Sequence, residues 1–569
     1  MQLPIAKIKN VLKTLFAILL IISLGACSNP GNGQESGEEE SASTGDKPES
    51  QKKISKRDIS ITRANAYNDL FLDSMNLEQY IKEYKVNDTI ARRMRSFYNA
   101  RNYQFAWFSS DGLTEQARGF WNIHEYQVNY GSDSILYDKA LIKRMDRLIV
   151  EEDLRVNPAD KAWLDTELKL SHHYIQYALS AYEGGFVKRK ELERFIPRKK
   201  EDAMYLADSI ITKKHKDGKY FEDIHESYGH LKDQLNKYYQ IAKQGGWPMI
   251  TTAKKTIKIG DSLPEIAVIK KRLQVTGDLP GADTSSVFDS ALENAVKTFQ
   301  SRHGYTGNGV ISAALIKDMN VSVDRRIQQL LINMNRIQWM PTEPKGQLIV
   351  VNIPEFKLHV REGKKEAFTM NVVVGKEGHN TMMFTGDLNQ VVFSPYWNVP
   401  ESIVEKEILP EMAKNPNYLA SQNMEITGNV NGLPEIRQLP GAKNSLGKVK
   451  FLFPNSFNIY FHDTPAKSLF EKDKRAYSHG CIRLAEPFKM ATYLLKDQRE
   501  WTEERIQSAM DAGKERYVKL KNPVPVFISY YTAWVDNSGA LHFADDIYGH
   551  DAHMARKMFV GAGEALAQK

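Results

Sequence analysis

The sequence predicts a multidomain α+β protein: an α-helical scaffold, a small three-helix module and a mainly β domain interrupted by an insertion. Three observations carry this reading. At 569 residues the chain exceeds what one hydrophobic core ordinarily serves. Its 42% hydrophobic and 26% charged residues are those of a globular protein, not of a disordered or multi-span membrane chain. The apolar repeat changes from every third or fourth residue to every second near position 345.

Residues 1–27 read as an export signal. Lys7, Lys9 and Lys13 precede the apolar run from Leu15 to Leu24, which is short for a bilayer span, and Leu24-Gly25-Ala26-Cys27 follows. That tetrad resembles the lipobox of bacterial lipoproteins, which implies a lipidated Cys27; a plain cleavable signal with a chance cysteine is the alternative. Residues 28–55 are rich in Ser, Gly and the acids Glu and Asp, have almost no large apolar side chain and read as a flexible tether. The formal charge is +7; residues 28–50 carry −5 and residues 1–27 carry +3, which leaves +9 on the remainder. A mildly basic body suits an anionic polymer, although dispersed Lys and Arg are also ordinary solvated surface. No nucleic-acid motif is present.

Residues 56–250 predict a helical scaffold: Leu141–Val150 and His172–Tyr182 are built of good helix formers with apolar residues three and four apart. The aromatic cluster Tyr98, Tyr103, Phe105, Trp107 and Phe108 reads as helix-packing core, with a carbohydrate-stacking surface as the alternative. Residues 257–320 form a separate module, with Ile266, Ile269 and Leu273 on one helix face and a glycine turn at Gly307-Asn308-Gly309 before a third helix. Phe299-Gln300, Gly304, Gly309 and Leu315 resemble the three-helix peptidoglycan-binding-like domain. Residues 321–345 predict a linking helix capped by Ser322, with Ile327, Leu330, Leu331 and Met334 on one stripe. From 346 to 550 the alternation is that of strands, with a hairpin turn at Glu362-Gly363 and another at Asp536-Asn537-Ser538-Gly539. A polar insertion occupies about 400–447. Residues 551–569 are left as a tail.

The chemistry concentrates in Ser478-His479-Gly480-Cys481-Ile482-Arg483, with Tyr460-Phe461-His462-Asp463 some twenty residues earlier. The chain holds two cysteines, and the other, Cys27, lies in the signal, so Cys481 has no disulfide partner to explain it. A lone cysteine can be a small buried hydrophobe. It can also be a nucleophile, provided an imidazole takes its proton and N–H groups receive the oxyanion. His462 is the candidate base, and Arg483 a candidate for pairing with an anionic group. No metal is expected, because His479-Gly480-Cys481 lacks the paired spacings of common zinc sites. Asp463 is a poor orienting carboxylate: it directly follows His462, so in a strand its side chain points to the other face.

His462 and the Ser-His-Gly-Cys-Ile-Arg string closely resemble the signature of the YkuD-type L,D-transpeptidases. Tyr98–Leu113, Val374-Gly375-Lys376, Trp397-Asn398-Val399-Pro400 and the C-terminal region resemble the large YcbB-like subgroup, with Met382 standing where that subgroup commonly has Pro. The resemblance implies cross-linking between the third residues of peptidoglycan stems (3-3 cross-links) through a cysteine acyl-enzyme, with release of the donor's terminal D-Ala. It implies Cys481 as nucleophile, His462 as base, Ser478, His479 and Gly480 shaping the loop and its oxyanion site, and Arg483, Tyr460 and Trp397 contacting substrate. The insertion becomes a lid. No cofactor is implied; the partners are donor and acceptor stems, a membrane through the N-terminal lipid, and carbapenem-type inhibitors, in the periplasm. An L,D-carboxypeptidase using water, and a non-catalytic wall-binding lipoprotein, are the alternatives.

Overall fold

The computed structural model describes residues 54–130, 136–151, 154–182, 196–212, 226–341 and 343–562. The segment read as an export signal, with Cys27, and almost all of the expected tether lie outside these residues.

Helices Ser74–Glu83, Asp88–Ala100, Glu115–Tyr130, Lys139–Leu148, Lys161–Tyr182, Ala203–Thr212 and Glu226–Lys243 build the N-terminal region. Asp73, Asn87 and Asp138 cap three of them, each accepting from first-turn backbone N–H groups. The aromatic cluster is core: Tyr98, Phe105, Trp107 and Phe108 are fully buried. The buried Glu167 carboxylate accepts from the Ala106 and Trp107 N–H groups at 2.6 and 3.0 Å, which ties the cluster to the longest helix.

The small module is three helices, Pro264–Thr276, Ser290–Arg302 and Ala313–Met319, around a core of its own. It is fastened to its neighbours. Arg302 donates to the Leu541 carbonyl at 2.6 Å, and Thr306 donates through both its hydroxyl and its N–H to Asp473, in the loop leading to the Ser-His-Gly-Cys segment. The linking helix, Val323–Ile337, is buried on nearly every side, and its Arg336 is clamped by Glu115 and Asp551 at 2.5 Å each.

The β domain contains strands β1 (Gln347–Asn352), β2 (Lys357–Glu362), β3 (Lys365–Gly375), β4 (Phe384–Phe393), β5 (Val449–Leu452), β6 (Phe461–His462), β7 (Ala476–Ser478), β8 (Ile482–Leu484) and β9 (Arg516–Ser529). Their order is β7-β3-β8-β6-β5-β4-β9-β1-β2, and β2 pairs again with β3. Eight strands therefore close on themselves, with β7 attached to β3. Closure removes the free edges that a sheet this size would otherwise expose. Ile349, Val351, Leu358, Val360, Val391, Phe451, Phe461 and Ile482 fill one face, and helices Pro487–Leu495 and Glu503–Asp511 complete that core. The alternate residues face outward.

The insertion folds as short helical turns over Glu401–Ser421 and a hairpin, Met424–Val430 with Leu433–Gln438, laid antiparallel on Trp397–Asn398. Val399, Ile403, Val404, Ile408 and Ile436 give it a separate small core.

The C-terminus departs from the sequence reading, which ran the catalytic domain to 550 and left a tail. The hairpin Ala533–Val535/Leu541–Phe543 and the helix His550–Met558 bury Ala533, Phe543, Met554 and Met558 in the core of the N-terminal helices. Apolar alternation shows that a strand has a buried face; it does not say which core receives it.

Candidate active site

Strands β6 and β8 are short, adjacent and parallel, with Phe461 opposite Ile482 and His462 opposite Arg483. Ile482 N–H donates to the Tyr460 carbonyl at 3.1 Å, which brings Cys481 alongside Tyr460. Side chains alternate along a strand, so while Phe461 and Ile482 enter the core, Tyr460, His462, Cys481 and Arg483 share the outer face. Four chemically active groups thus form a two-by-two array, although twenty residues separate its halves.

Cys481 is half-buried, with its sulfur near the Asn458 carbonyl at 3.8 Å and hydrogen-bonded by Tyr460 through hydroxyl and N–H. In this resting arrangement its partners are Asn458 and Tyr460, not the imidazole. Burial pushes the thiol pKa up; the Tyr460 hydrogen bonds and the Arg483 charge oppose the shift without cancelling it. His462 is 5% exposed. Burial, with Arg483 beside it, brings its pKa down to about 3. The resting pair is therefore a neutral thiol and a neutral imidazole. His462 Nδ1 meets the Asp463 carbonyl at 2.5 Å, which orients the ring and leaves Nε2 as the basic nitrogen. The Asp463 carboxylate points away, as strand alternation requires. It accepts from Lys448 N at 2.8 Å, Thr464 N at 2.7 Å and Lys467 Nζ at 2.6 Å.

Ser478 closes the loop. Its hydroxyl donates to the Cys481 carbonyl at 2.5 Å and accepts from Gly480 N–H at 3.2 Å. Gly480 has φ +110°, a conformation that side chains rarely adopt, and its carbonyl accepts from Thr381 Oγ1 at 2.7 Å. Thr381 in turn accepts from Gly375 N–H at 2.9 Å. A Cβ on Gly375 would lie 2.0 Å from the His379 carbonyl, so the close approach of these two loops needs glycine there. Tyr548 completes the brace by donating to the Gly375 carbonyl at 2.7 Å. His479 does not face the thiol; its Nε2 meets Glu407 of the insertion at 2.7 Å, and its ring lies edge-on to His379 at 4.9 Å.

Arg483 Nε is buried and has no hydrogen-bond partner among the described residues. Trp397 packs into the insertion's own core, so the structure does not bring it into the array. Sequence reasoning missed Thr381, Asn458, Glu407 and Tyr548, which come from four separate segments. Asn458 alone carried a local signal, an Asn in a turn, realised as φ +54°. Lys450, opposite His462 on β5, was missed too.

Residues 346–525 match the family model YkuD, the L,D-transpeptidase catalytic domain. The chain carries a YkuD L,D-transpeptidase catalytic domain. Residues 92–235 match the "Scaffold domain" and residues 262–319 the "Putative peptidoglycan binding domain". A Haemophilus influenzae protein named "Putative L,D-transpeptidase" is 34% identical over 240 residues, 39% of this chain and 48% of the relative. The chain thus spans about half the length of that relative. Among solved structures, an L,D-transpeptidase from Stackebrandtia nassauensis is 14% identical over 49% of this chain and 97% of its own, with a TM-score of 0.22. An L,D-transpeptidase from Mycobacterium smegmatis is 14% identical over 32% of this chain and 58% of its own, with a TM-score of 0.19. The array and its Thr381 support lie within residues 346–525, and Tyr548 reaches Thr381 from outside that range.

Proposed function

We propose that the protein forms 3-3 peptidoglycan cross-links through an acyl-enzyme on Cys481. The observation that carries this is the array itself: a half-buried thiol held by Tyr460, a buried neutral imidazole, and a guanidinium whose buried Nε has no hydrogen-bond partner among the described residues, all on one outward face. The donor is a tetrapeptide stem whose third residue, a diamino acid, is joined to a terminal D-Ala. As the sulfur leaves Asn458 and attacks the carbonyl of that bond, His462 takes the thiol proton. The oxyanion is received by the Cys481 N–H and the Tyr460 hydroxyl, since Gly480 N–H is already engaged by Ser478. The C–N bond breaks, D-Ala leaves with the proton from His462, and a thioester remains. The side-chain amine of a second stem attacks it, loses a proton to His462 and regenerates the thiol. Arg483 pairs with a substrate carboxylate.

The insertion is the lid. Its Glu407 meets His479 beside Cys481, and a closed lid keeps water from the thioester, which favours transfer over hydrolysis. A carbapenem-type β-lactam acylates the same sulfur. Cys27 carries the lipid that holds the protein at a membrane face in the periplasm. Incubation with purified disaccharide-tetrapeptide tests the activity: the expected product is a 3-3 dimer with released D-Ala, absent from Cys481→Ala. Disaccharide-tripeptide alone would assign the chain as an L,D-carboxypeptidase, and unchanged substrate would remove the enzymatic reading.

A further inference from the structure

A cavity of about 370 Å³ lies on the outer face of β1, β2 and β9, roofed by the helix Glu226–Lys243, the end of the linking helix and the C-terminal hairpin. It shares no residue with the Cys481 array. Four acids line it, and each is answered by a base in the same wall. Arg361 meets Glu343 at 3.1 Å, Lys357 meets Glu355 at 3.8 Å, and His542 meets Asp536 at 2.7 Å. His359 lies between Glu355 at 3.0 Å and Glu366 at 2.8 Å; against burial, which lowers its pKa, the two carboxylates raise it. The wall sets four acids against two permanent cations, Arg361 and Lys357, both already paired, so an anionic ligand would find no unanswered partner there.

The remaining lining mixes aliphatic side chains, among them Leu231, Ile337, Met340 and Val350, with aromatic and amphipathic ones. Trp534 and His542 face each other across the hairpin, stacked at 5.2 Å and 12°, and the Tyr531 and Phe527 rings border the same space. Flat aromatic surface beside planar carboxylate, guanidinium and amide groups is the chemistry that holds a sugar: ring C–H faces stack, and hydroxyls bond the planar groups. The volume is within the range of small-ligand sites.

We propose that this cavity is a glycan subsite that takes an uncharged N-acetylated amino-sugar ring against Trp534, with its hydroxyls on Glu366, Arg361 and Asn537. The site anchors a sugar strand to the scaffold side of the molecule while Cys481 works on a peptide. The choice of an amino sugar rests on the wall-polymer reading; the preference for an uncharged ring over an anionic one rests on the cavity alone.

The test is isothermal titration of the full chain with N,N′,N″-triacetylchitotriose. Saturable binding is expected, at least tenfold weaker in Trp534→Ala and in Thr369→Arg, which plugs the cavity from β3, and unchanged in Cys481→Ala. Each variant is first matched to the parent by circular dichroism. No saturable binding by the parent, or equal binding by both cavity variants, overturns the proposal; the latter places the sugar elsewhere, for instance on residues 262–319. Displacement of the trisaccharide by a sugar-free stem tetrapeptide overturns it in favour of a peptide site. A chain that binds the trisaccharide through Trp534 yet makes no cross-links sinks the catalytic reading and leaves this one standing.

Discussion

Ser478→Ala removes one oxygen that serves two backbone groups, and the consequence can be worked from the structure. The hydroxyl is the acceptor for Gly480 N–H, which is buried, and the donor to the Cys481 carbonyl, which is partly buried. A buried group left unpaired costs about 1–3 kcal/mol, and one partly open to water somewhat less, so the loop loses about 2–4 kcal/mol. Thr381 still holds the Gly480 carbonyl, so the fold should survive and the damage should concentrate between Ser478 and Cys481. If the loop is native in only a fraction of molecules, that fraction limits attack; at 1.4 kcal/mol per tenfold, acylation slows by up to about 30- to 700-fold. The assay is the second-order rate of Cys481 acylation by a carbapenem, followed by intact mass, beside urea denaturation of the same samples. Ser478→Thr, which keeps the hydroxyl, should restore most of the rate. An alanine variant that acylates at the parent rate with unchanged stability would refute the role given to this hydroxyl.

Four further predictions rest on the electrostatics and the insertion. Because His462 has its pKa near 3, the base form is present throughout the neutral range, so acylation between pH 5 and 8 should show no titration centred near 6.5; such a titration would mean that the imidazole is not held as described. The same depression bears on stability: the unfolded chain protonates His462 first as pH falls from about 6.5 toward 3, so stability due to this group is lost over that window, by up to about 1.4 kcal/mol per pH unit. A His462→Gln variant should show a shallower decline of its urea midpoint. Arg483→Gln should raise the His462 pKa and weaken donor binding, seen as an upfield-to-downfield imidazole titration moved to higher pH by NMR and a higher KM for tetrapeptide; an unmoved titration would contradict the neighbour charge. Glu407→Ala should leave β-lactam acylation within about threefold while raising hydrolysis relative to transfer on muropeptides, and an unchanged product ratio would remove Glu407 as a closure contact.

The amino-acid sequence by itself determined the class of each layer, because periodicity and capping are local: Ser322 before an apolar stripe and Glu362-Gly363 between alternating runs. It also concentrated the chemistry, since a cysteine without a disulfide partner sits among small and polar residues. Only the tertiary structure decided how those pieces meet. The parallel register of β6 and β8 puts His462 and Arg483 side by side and turns Tyr460 toward the sulfur; a one-residue slip of either strand would send its two groups of the array into the core, and no local signal sets that choice. The second pairing of β2 with β3, the capture of 533–562 by the helical core, and the reach of Glu407 to His479 likewise join residues far apart in the chain. Such contacts are fixed by which surfaces bury each other best once the elements exist, so they belong to the fold and not to any stretch of sequence.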